Sequence, residues 1–132
     1  MFDPKTKILV VDDMMTMRKI VVKNLKEMGF ESISECADGN LAWDALCKPD
    51  ANIQLVISDW NMPNCSGMDF LKKMRADPRF IKLPFIMLTA EAEKHQMVQA
   101  IKSGVSNYMI KPFSPEVLKE KLEETHKKVT EA

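Results

Sequence analysis

The sequence contains few of the residues that build disulfide frameworks or soft-metal sites. It has three cysteines, Cys36, Cys47 and Cys65. An odd number at unrelated spacings matches neither a disulfide framework nor a metal motif, so we expect free thiols in a reducing cytoplasm. The two histidines, His95 and His126, fall in helical, charge-rich stretches. There we expect solvated surface imidazoles rather than metal ligands or catalytic bases.

The chain also lacks an excess of charge of either sign and any long apolar run. Its 19 Lys and Arg residues balance 19 Asp and Glu residues, so no basic field gathers nucleic acid or anionic lipid. No apolar stretch approaches the length that spans a bilayer, and the first residues lack the apolar core of a signal peptide. We therefore expect a cytoplasmic protein that binds no nucleic acid and does not insert into a membrane.

Four short apolar runs, each followed by a reactive polar residue, are the main signal in the sequence. Residues 8–11, 55–58, 85–88 and 108–110 are nearly continuous in apolar and β-branched side chains, which is typical of strands buried on both faces of a parallel sheet. Helical periodicity alternates with these runs and with a weaker strand at 32–37. The pattern predicts a doubly wound, flavodoxin-like α/β fold with five parallel strands in the order 2-1-3-4-5 and helices on both faces. We expect all 132 residues to form one domain with no output domain.

Apolar spacing also predicts which side chains of each helix face the sheet. In the first helix, side chains at three- and four-residue steps are expected to point inward, namely Met17, Ile20, Val21, Asn24, Leu25 and Met28. In a helix from about 92 to 103, the expected inward positions are Val98 and Ile101, which leaves Met97 off the core side. Trp60 is expected to be a partly exposed loop residue.

The polar residues that follow the four runs are expected to meet at one edge of the sheet. They are Asp12 and Asp13, Asp59, Thr89 and Lys111. In a parallel sheet the carboxyl ends of all strands share one edge, and α/β proteins bind ligands there. Two carboxylates about 4 Å apart repel by about 4 kcal/mol at an effective dielectric of about 20. Three carboxylates and one ammonium leave a net charge of −2, which one divalent cation neutralises, and all-oxygen ligands favour Mg²⁺.

The same five residues have the parts of a phosphoryl-transfer site. Asp59 can attack phosphorus in line and form an aspartyl phosphate. Mg²⁺ and Lys111 would neutralise charge on the equatorial oxygens, and the hydroxyl of Thr89 would donate a hydrogen bond to one of them. Because a carboxylate is already ionised at neutral pH, this chemistry requires no general-base histidine.

Four motifs in the sequence resemble bacterial response-regulator receiver domains. They are Val-Val-Asp-Asp at 10–13, Ile-Ser-Asp-Trp-Asn-Met-Pro at 57–63, Thr-Ala-Glu at 89–91 and Lys-Pro-Phe at 111–113. The likeness covers essentially the whole chain. It is strongest toward the receivers of bacterial chemotaxis, through Asp-Trp-Asn-Met-Pro, through Thr-Met-Arg at 16–18 and through Tyr108.

The resemblance implies a role for each residue of the acidic cluster. Asp59 would be the phosphoacceptor, and the donor would be the phosphohistidine of a histidine kinase. Asp13, Asp59 and the backbone carbonyl of Asn61 would bind Mg²⁺, and Asp12 would act through water. Phosphorylation and dephosphorylation catalysed by the protein itself would be slow, so the chain would be a signalling phosphoacceptor rather than an enzyme.

The resemblance also implies a switch and an output face. Thr89 and Tyr108 would be the switch pair, in which the hydroxyl moves toward the phosphoryl group and the ring turns inward behind it. The peptide bond between Lys111 and Pro112 would be cis. The output face would lie on the fourth helix, fifth strand and fifth helix, at Ala92, Lys94, Met97, Tyr108, Ile110, Phe113 and Lys121. Its expected partner is the flagellar motor switch, with a phosphatase as a further partner and the protein itself a monomer.

Three other functions share the fold or the chemistry. A phosphorelay intermediate, or another stand-alone receiver, would use the same site. A phosphatase of the haloacid dehalogenase type also forms an aspartyl phosphate, but it needs Asp-x-Asp after the first strand, whereas Asp12 and Asp13 are adjacent and Met14 and Met15 follow them. A flavodoxin-like electron carrier needs a hydroxyl- and glycine-rich phosphate loop at this point, and only Thr16 is present.

Overall fold

The computed structural model describes residues 1–90 and 95–131, without the side chains of Gln96 and Glu131. Within these residues five strands alternate with five helices. The strands are β1 (Lys7–Val11), β2 (Ser32–Cys36), β3 (Leu55–Asp59), β4 (Phe85–Ala90) and β5 (Asn107–Lys111). The helices are α1 (Met15–Glu27), α2 (Gly39–Leu46), α3 (Gly67–Arg75), α4 (Gln96–Lys102) and α5 (Pro115–Glu131).

All five strands are parallel and lie in the order β2-β1-β3-β4-β5. The predicted fold class and strand order are therefore confirmed. The order reverses between β1 and β3, where a crevice opens at the carboxyl edge of the sheet. In register, Val11 pairs with Ser58 and Asp59 pairs with Leu88, so the strands end at nearly the same level.

Alternate residues of the central strands pack into two separate apolar layers. Ile8 and Val10 of β1 face the layer that α1 and α5 cover, whereas Leu9 and Val11 face the layer of α2, α3 and α4. This division follows from the two-residue period of a strand, which turns successive side chains to opposite faces. Because both faces are covered, the central strands are apolar throughout, which explains the continuous apolar runs in the sequence.

The predicted inward face of α4 is wrong. Val98 and Ile101 are 57% and 58% exposed, whereas Ala100 is fully buried and Met97 is half-buried. Val98 and Ile101 are three residues apart, and so are Met97 and Ala100, so the spacing does not distinguish the two faces of the helix. The face that carries the small Ala100 packs against the sheet. The predicted start of this helix near 92 lies outside the described residues.

Two further expectations of burial are corrected. In α1, Ile20 is 44% exposed, whereas Val22 packs against the sheet at 6% exposure. Trp60 is only 7% exposed, because its amide donates to the carbonyl of Leu88 at 3.0 Å and its side chain joins the α2–α3–α4 layer. Among the helices described, none has the length and apolar character needed to cross a bilayer.

Candidate functional site

The polar residues predicted to converge all stand at the carboxyl edge of the sheet. Asp12 and Asp13 directly follow β1, Asp59 is the last residue of β3, and Lys111 is the last residue of β5. Thr89 lies one residue before the end of β4 and pairs in register with Ile110. The buried strands thus fix the backbone of every one of these residues, while their side chains extend beyond the apolar layers.

Three carboxylates form the centre of this site. One carboxylate oxygen from each of Asp12, Asp13 and Asp59 lies within 4.8 Å of the others. Asp12 is fully buried and Asp59 is 6% exposed, whereas Asp13 is exposed. Such a cluster is repulsive at neutral pH, and its exposed member leaves a path for an ion to enter from solvent.

The backbone and side chain of Asp12 are both held in place. Its Oδ1 accepts a hydrogen bond from the amide of Met14 at 2.9 Å. Its backbone carbonyl accepts one from Nη1 of Arg18 at 2.8 Å. Arg18 is in turn paired with Glu35 of β2 at 3.0 Å, and Lys19 pairs with the other oxygen of Glu35 at 2.9 Å. The support that Arg18 gives to the acidic pair was not predicted from the sequence, where nothing marks which residue of α1 reaches back to β1.

Lys111 supplies the positive charge of the site. Its Nζ lies 2.8 Å from Oδ1 of Asp59 and 3.6 Å from Oδ2 of Asp12. Burial nevertheless raises the pKa of Asp59, because desolvation of the carboxylate outweighs the hydrogen bond and the charge of Lys111, which both lower it. The negative charge of Asp12 raises the pKa further. The peptide bond between Lys111 and Pro112 is cis.

Two buried oxygen atoms at the site lack hydrogen-bond partners among the described residues. They are Oδ2 of Asp12 and Oγ1 of Thr89. Buried polar atoms are nearly always hydrogen-bonded in native proteins, so these two atoms mark a place where a bound group would find partners. The carboxylate oxygen, which has the ammonium of Lys111 at 3.6 Å but accepts no hydrogen bond from the described residues, suits a cation. The hydroxyl suits an anionic oxygen.

The loop after β3 approaches the site closely. An added Cβ at Gly67 would collide with the backbone carbonyl of Asp59, so only glycine fits where this loop turns into α3. The amide of Gly67 donates to the carbonyl of Trp60 at 2.8 Å. Between them lies Asn61, which is exposed and whose carbonyl was expected to bind the metal.

The residues expected to form the output face are only partly described. Ala92 and Lys94 lie outside the described residues. Tyr108, Ile110 and Phe113 are each half-buried, and with Val117 and Lys121 they line a shallow groove of about 330 Å³. The ammonium of Lys121 lies 4.9 Å from the centre of the Tyr108 ring, within cation–π distance.

The donor set at the acidic cluster fits Mg²⁺. All three side chains offer oxygen, and the residues that the structure describes place no histidine or cysteine ligand in the cluster. The buried Oδ2 of Asp12 accepts no hydrogen bond from those residues. Mg²⁺ binds through a few carboxylates and keeps several waters. The observed chemistry of the site and its burial therefore suit the ion that the sequence led us to expect.

The fold and the site together define a signalling receiver domain. A family model described as "Response regulator receiver domain" matches residues 8–123. The chain therefore belongs to the response-regulator receiver family.

Individual relatives within that family carry chemotaxis names. The chain is 49% identical over 117 residues to the chemotaxis protein CheY1 of Helicobacter pylori strain J99. The aligned region covers 89% of this chain and 94% of that protein. It is 45% identical over 118 residues to the chemotaxis protein CheY homolog of Campylobacter jejuni strain NCTC 11168, which covers 89% and 90%. Among solved structures, the chemotaxis response regulator CheY4 of Vibrio cholerae superimposes with a TM-score of 0.82 at 30% identity, over 92% of this chain and 98% of that one.

Proposed function

We propose that this chain is a phosphorylation-controlled switch of bacterial chemotaxis. In this proposal a histidine kinase transfers a phosphoryl group to Asp59, and the modified protein then binds the flagellar motor switch in the cytoplasm. The observation that carries the proposal is the convergence, at one sheet edge, of three carboxylates, an ammonium 2.8 Å from Asp59 and a buried hydroxyl with no hydrogen-bond partner among the described residues. The chemotaxis part rests on the names of the relatives.

The metal would be held by the carboxylates of Asp13 and Asp59 and by the backbone carbonyl of Asn61, with Asp12 acting through water. When bound, Mg²⁺ supplies positive charge that offsets the charge on the phosphoryl oxygens. Asp12 needs no rearrangement for this role, because the amide of Met14 and the guanidinium of Arg18 already fix its position.

Asp59 would act as the nucleophile. One of its carboxylate oxygens attacks phosphorus, the bond between phosphorus and the donor's imidazole nitrogen breaks, and the imidazole leaves with its electron pair. Lys111 already lies against Oδ1 of Asp59, so a small movement would bring its ammonium onto a phosphoryl oxygen. Attack of water on phosphorus later returns the carboxylate and releases inorganic phosphate.

Thr89 and Tyr108 would convert this chemistry into a change of surface. The hydroxyl of Thr89, which has no partner among the described residues, would donate to a phosphoryl oxygen, which draws β4 toward the site. Tyr108 is half-buried and lies on the adjacent strand, in register with Met87. The ring would turn inward into the space that Thr89 leaves, which reshapes the groove between β5 and α5.

Intact mass spectrometry after incubation with acetyl phosphate and Mg²⁺ tests the phosphoacceptor. We expect a labile gain of one phosphoryl group in the wild-type protein, none in Asp59→Asn, and none with a chelator. Asp44→Asn, which removes an exposed carboxylate of α2, is the matched control and should be modified like the wild type. An adduct that persists in Asp59→Asn would contradict the assignment of Asp59.

The output partner requires a separate measurement. Titration of the motor switch protein with the phosphorylated and unmodified chain should show tighter binding of the phosphorylated form. Equal affinity would contradict a motor-switch output while leaving Asp59 as phosphoacceptor, and would favour a phosphorelay intermediate.

A further inference from the structure

The loop that joins β3 to α3 carries part of the proposed metal site but is anchored at a distance from it. This loop (residues 60–66) begins beside Asp59 and contains Asn61. Near its far end it contacts the start of α2, a helix that contributes no residue to the acidic cluster. The inference below rests on the proposed function, because it concerns how this loop is held for Mg²⁺ and phosphoryl binding.

Each carboxylate oxygen of Asp38 accepts a hydrogen bond from a different segment of the chain. Oδ1 accepts from the amide of Leu41 at 2.9 Å, which caps the N-terminus of α2. Oδ2 accepts from Nδ2 of Asn64 at 3.3 Å. Asp38 is 9% exposed, and its pKa lies below the ordinary value because the Leu41 amide, with Asn64 and Asn40, stabilises the charged form. The carboxylate is therefore ionised at neutral pH.

A second contact fastens the same two segments. The amide of Gly39 donates to the carbonyl of Cys65 at 3.2 Å. A Cβ at Gly39 would lie 2.6 Å from Sγ of Cys65, so the helix start and the loop touch without space for a side chain. Asn64 has φ +67°, in the left-handed region that asparagine and glycine tolerate best.

We infer that Asp38 is a positioning residue of the phosphorylation site, which acts through Asn64 to hold the 60–66 loop in place for Mg²⁺ binding. Among the described residues, the carboxylate of Asp38 bonds to Leu41 and Asn64, whereas Lys111 pairs with Asp12 and Asp59. The effect of Asp38 is geometric. A loop fixed at Asp59 by β3 and at Asn64 by Asp38 leaves the carbonyl of Asn61 little freedom, so less conformational entropy is lost when the ion binds.

Two substitutions remove the Asp38–Asn64 bond while keeping the local backbone. Asp38→Ser retains a good N-cap for α2, but serine is too short to reach Asn64. Asn64→Gly retains the left-handed turn and changes no charge, so an altered electrostatic field cannot explain its effect. Asp38→Asn is the conservative variant, because the Asn64 amide can rotate to present its oxygen to the new amide group. Asp77→Ser is the matched control, because Asp77 lies in the loop between α3 and β4 and its carboxylate also accepts from a backbone amide, that of Arg79 at 2.9 Å.

The primary measurement is Mg²⁺ affinity, followed through tryptophan fluorescence, because Trp60 directly follows Asp59 in the chain. We expect Asp38→Ser and Asn64→Gly each to weaken Mg²⁺ binding by about tenfold. This value is the lower end of the range of affinity losses seen when a residue that supports metal ligands is replaced. The double variant should be no weaker than either single variant, because both remove the same bond. Asp38→Asn and Asp77→Ser should bind within about twofold of the wild type.

Amide hydrogen exchange of the metal-free protein gives a readout that does not depend on the ion. The amides of the 60–66 loop should exchange faster in Asp38→Ser and Asn64→Gly than in the wild type, while those of β1 and β3 should be unchanged. Wild-type Mg²⁺ affinity in Asn64→Gly, or additive losses in the double variant, would overturn the positioning role. A wild-type protein that binds no Mg²⁺ would instead overturn the proposed function, and the positioning role with it.

Discussion

Lys111 and Asp59 meet at 2.8 Å although 52 positions separate them in the chain. Each is the last residue of its strand, so the parallel sheet alone brings them to one edge. The pair has only a small exposed fraction, 17% for the lysine side chain and 9% for the aspartate. Removing either partner therefore leaves a poorly solvated charge, and this governs how the site responds to substitution and to pH.

Lys111→Ala should destabilise the metal-free protein by about 2 kcal/mol, because the carboxylates of Asp59 and Asp12 lose their counter-charge. Added Mg²⁺ should restore more stability to this variant than to the wild type, because the ion replaces the positive charge that was removed with Lys111. Urea unfolding with chelator and with Mg²⁺ measures both effects. Lys119→Ala, an exposed lysine of α5, is the control, and an equal loss in both variants would contradict the prediction.

Lys111→Ala should also separate phosphorylation from output. Asp59 remains able to accept a phosphoryl group, but without the ammonium the modified site cannot be coupled to the surface at Tyr108. The measurement is partner affinity at a known fraction of phosphorylated protein. Normal partner binding by phosphorylated Lys111→Ala would show that the lysine has no part in the switch.

Asp13→Asn should stabilise the metal-free protein and weaken Mg²⁺ binding by at least about tenfold. The substitution removes one of three mutually repelling carboxylates, and the gain in stability comes at the cost of a metal ligand. Thermal unfolding in chelator and titration with Mg²⁺ give the two quantities. Glu120→Gln, an exposed acid in the interior of α5, should change neither, and destabilisation of Asp13→Asn would argue against repulsion in the cluster.

Thr89→Val should raise the free energy of unfolding by about 1 kcal/mol, because it replaces a buried hydroxyl that has no partner among the described residues by a methyl group. Phosphorylation should persist while partner binding ceases to respond to it. Thr125→Val is the matched control. The Thr125 hydroxyl is buried and donates to the carbonyl of Lys121 at 2.7 Å, so its loss should destabilise by about 1 kcal/mol.

The raised pKa of Asp59 predicts an unusual pH dependence. A carboxyl whose folded pKa exceeds its unfolded value of 3.8 binds more protons in the folded state between the two values. Its contribution to stability is therefore complete below pH 3.8 and lost as the pH rises through the folded pKa. In chelator, the wild type should gain stability relative to Asp59→Asn as the pH falls from neutral. Denaturant unfolding of both proteins across that range checks the slope, and a relative loss on acidification would contradict it.

Most of the fold could be predicted because the central strands are buried on both faces and so must be continuously apolar. The run from Ile8 to Val11 is continuously apolar. The residue that follows it, Asp12, must lie at the carboxyl edge of the sheet because the strand ends there. The face of α4 could not be predicted from spacing. Val98 with Ile101 and Met97 with Ala100 are both three residues apart, and the difference lies in how closely the helix approaches the sheet.

The five convergent polar residues of the site could be predicted for the same topological reason, but the contacts that support them could not. Asp38 caps the start of α2. The other oxygen of its carboxylate bonds to Asn64, 26 positions along the chain, and no local pattern encodes such a pairing. The burial of Trp60 was missed because its neighbours mark a loop, whereas its amide continues the bonding between β3 and β4.

The two apolar layers end where the strands end, and the rim of the site lies beyond both of them. Met14 and Met15 are 59% and 63% exposed and take no part in either layer. Exchange of such rim residues leaves the unfolding equilibrium almost untouched while it changes the access of water and of proteins to Asp59. Under the proposed function, substitutions at these rim positions would change how long the phosphoryl group persists on Asp59 and leave the scaffold unchanged.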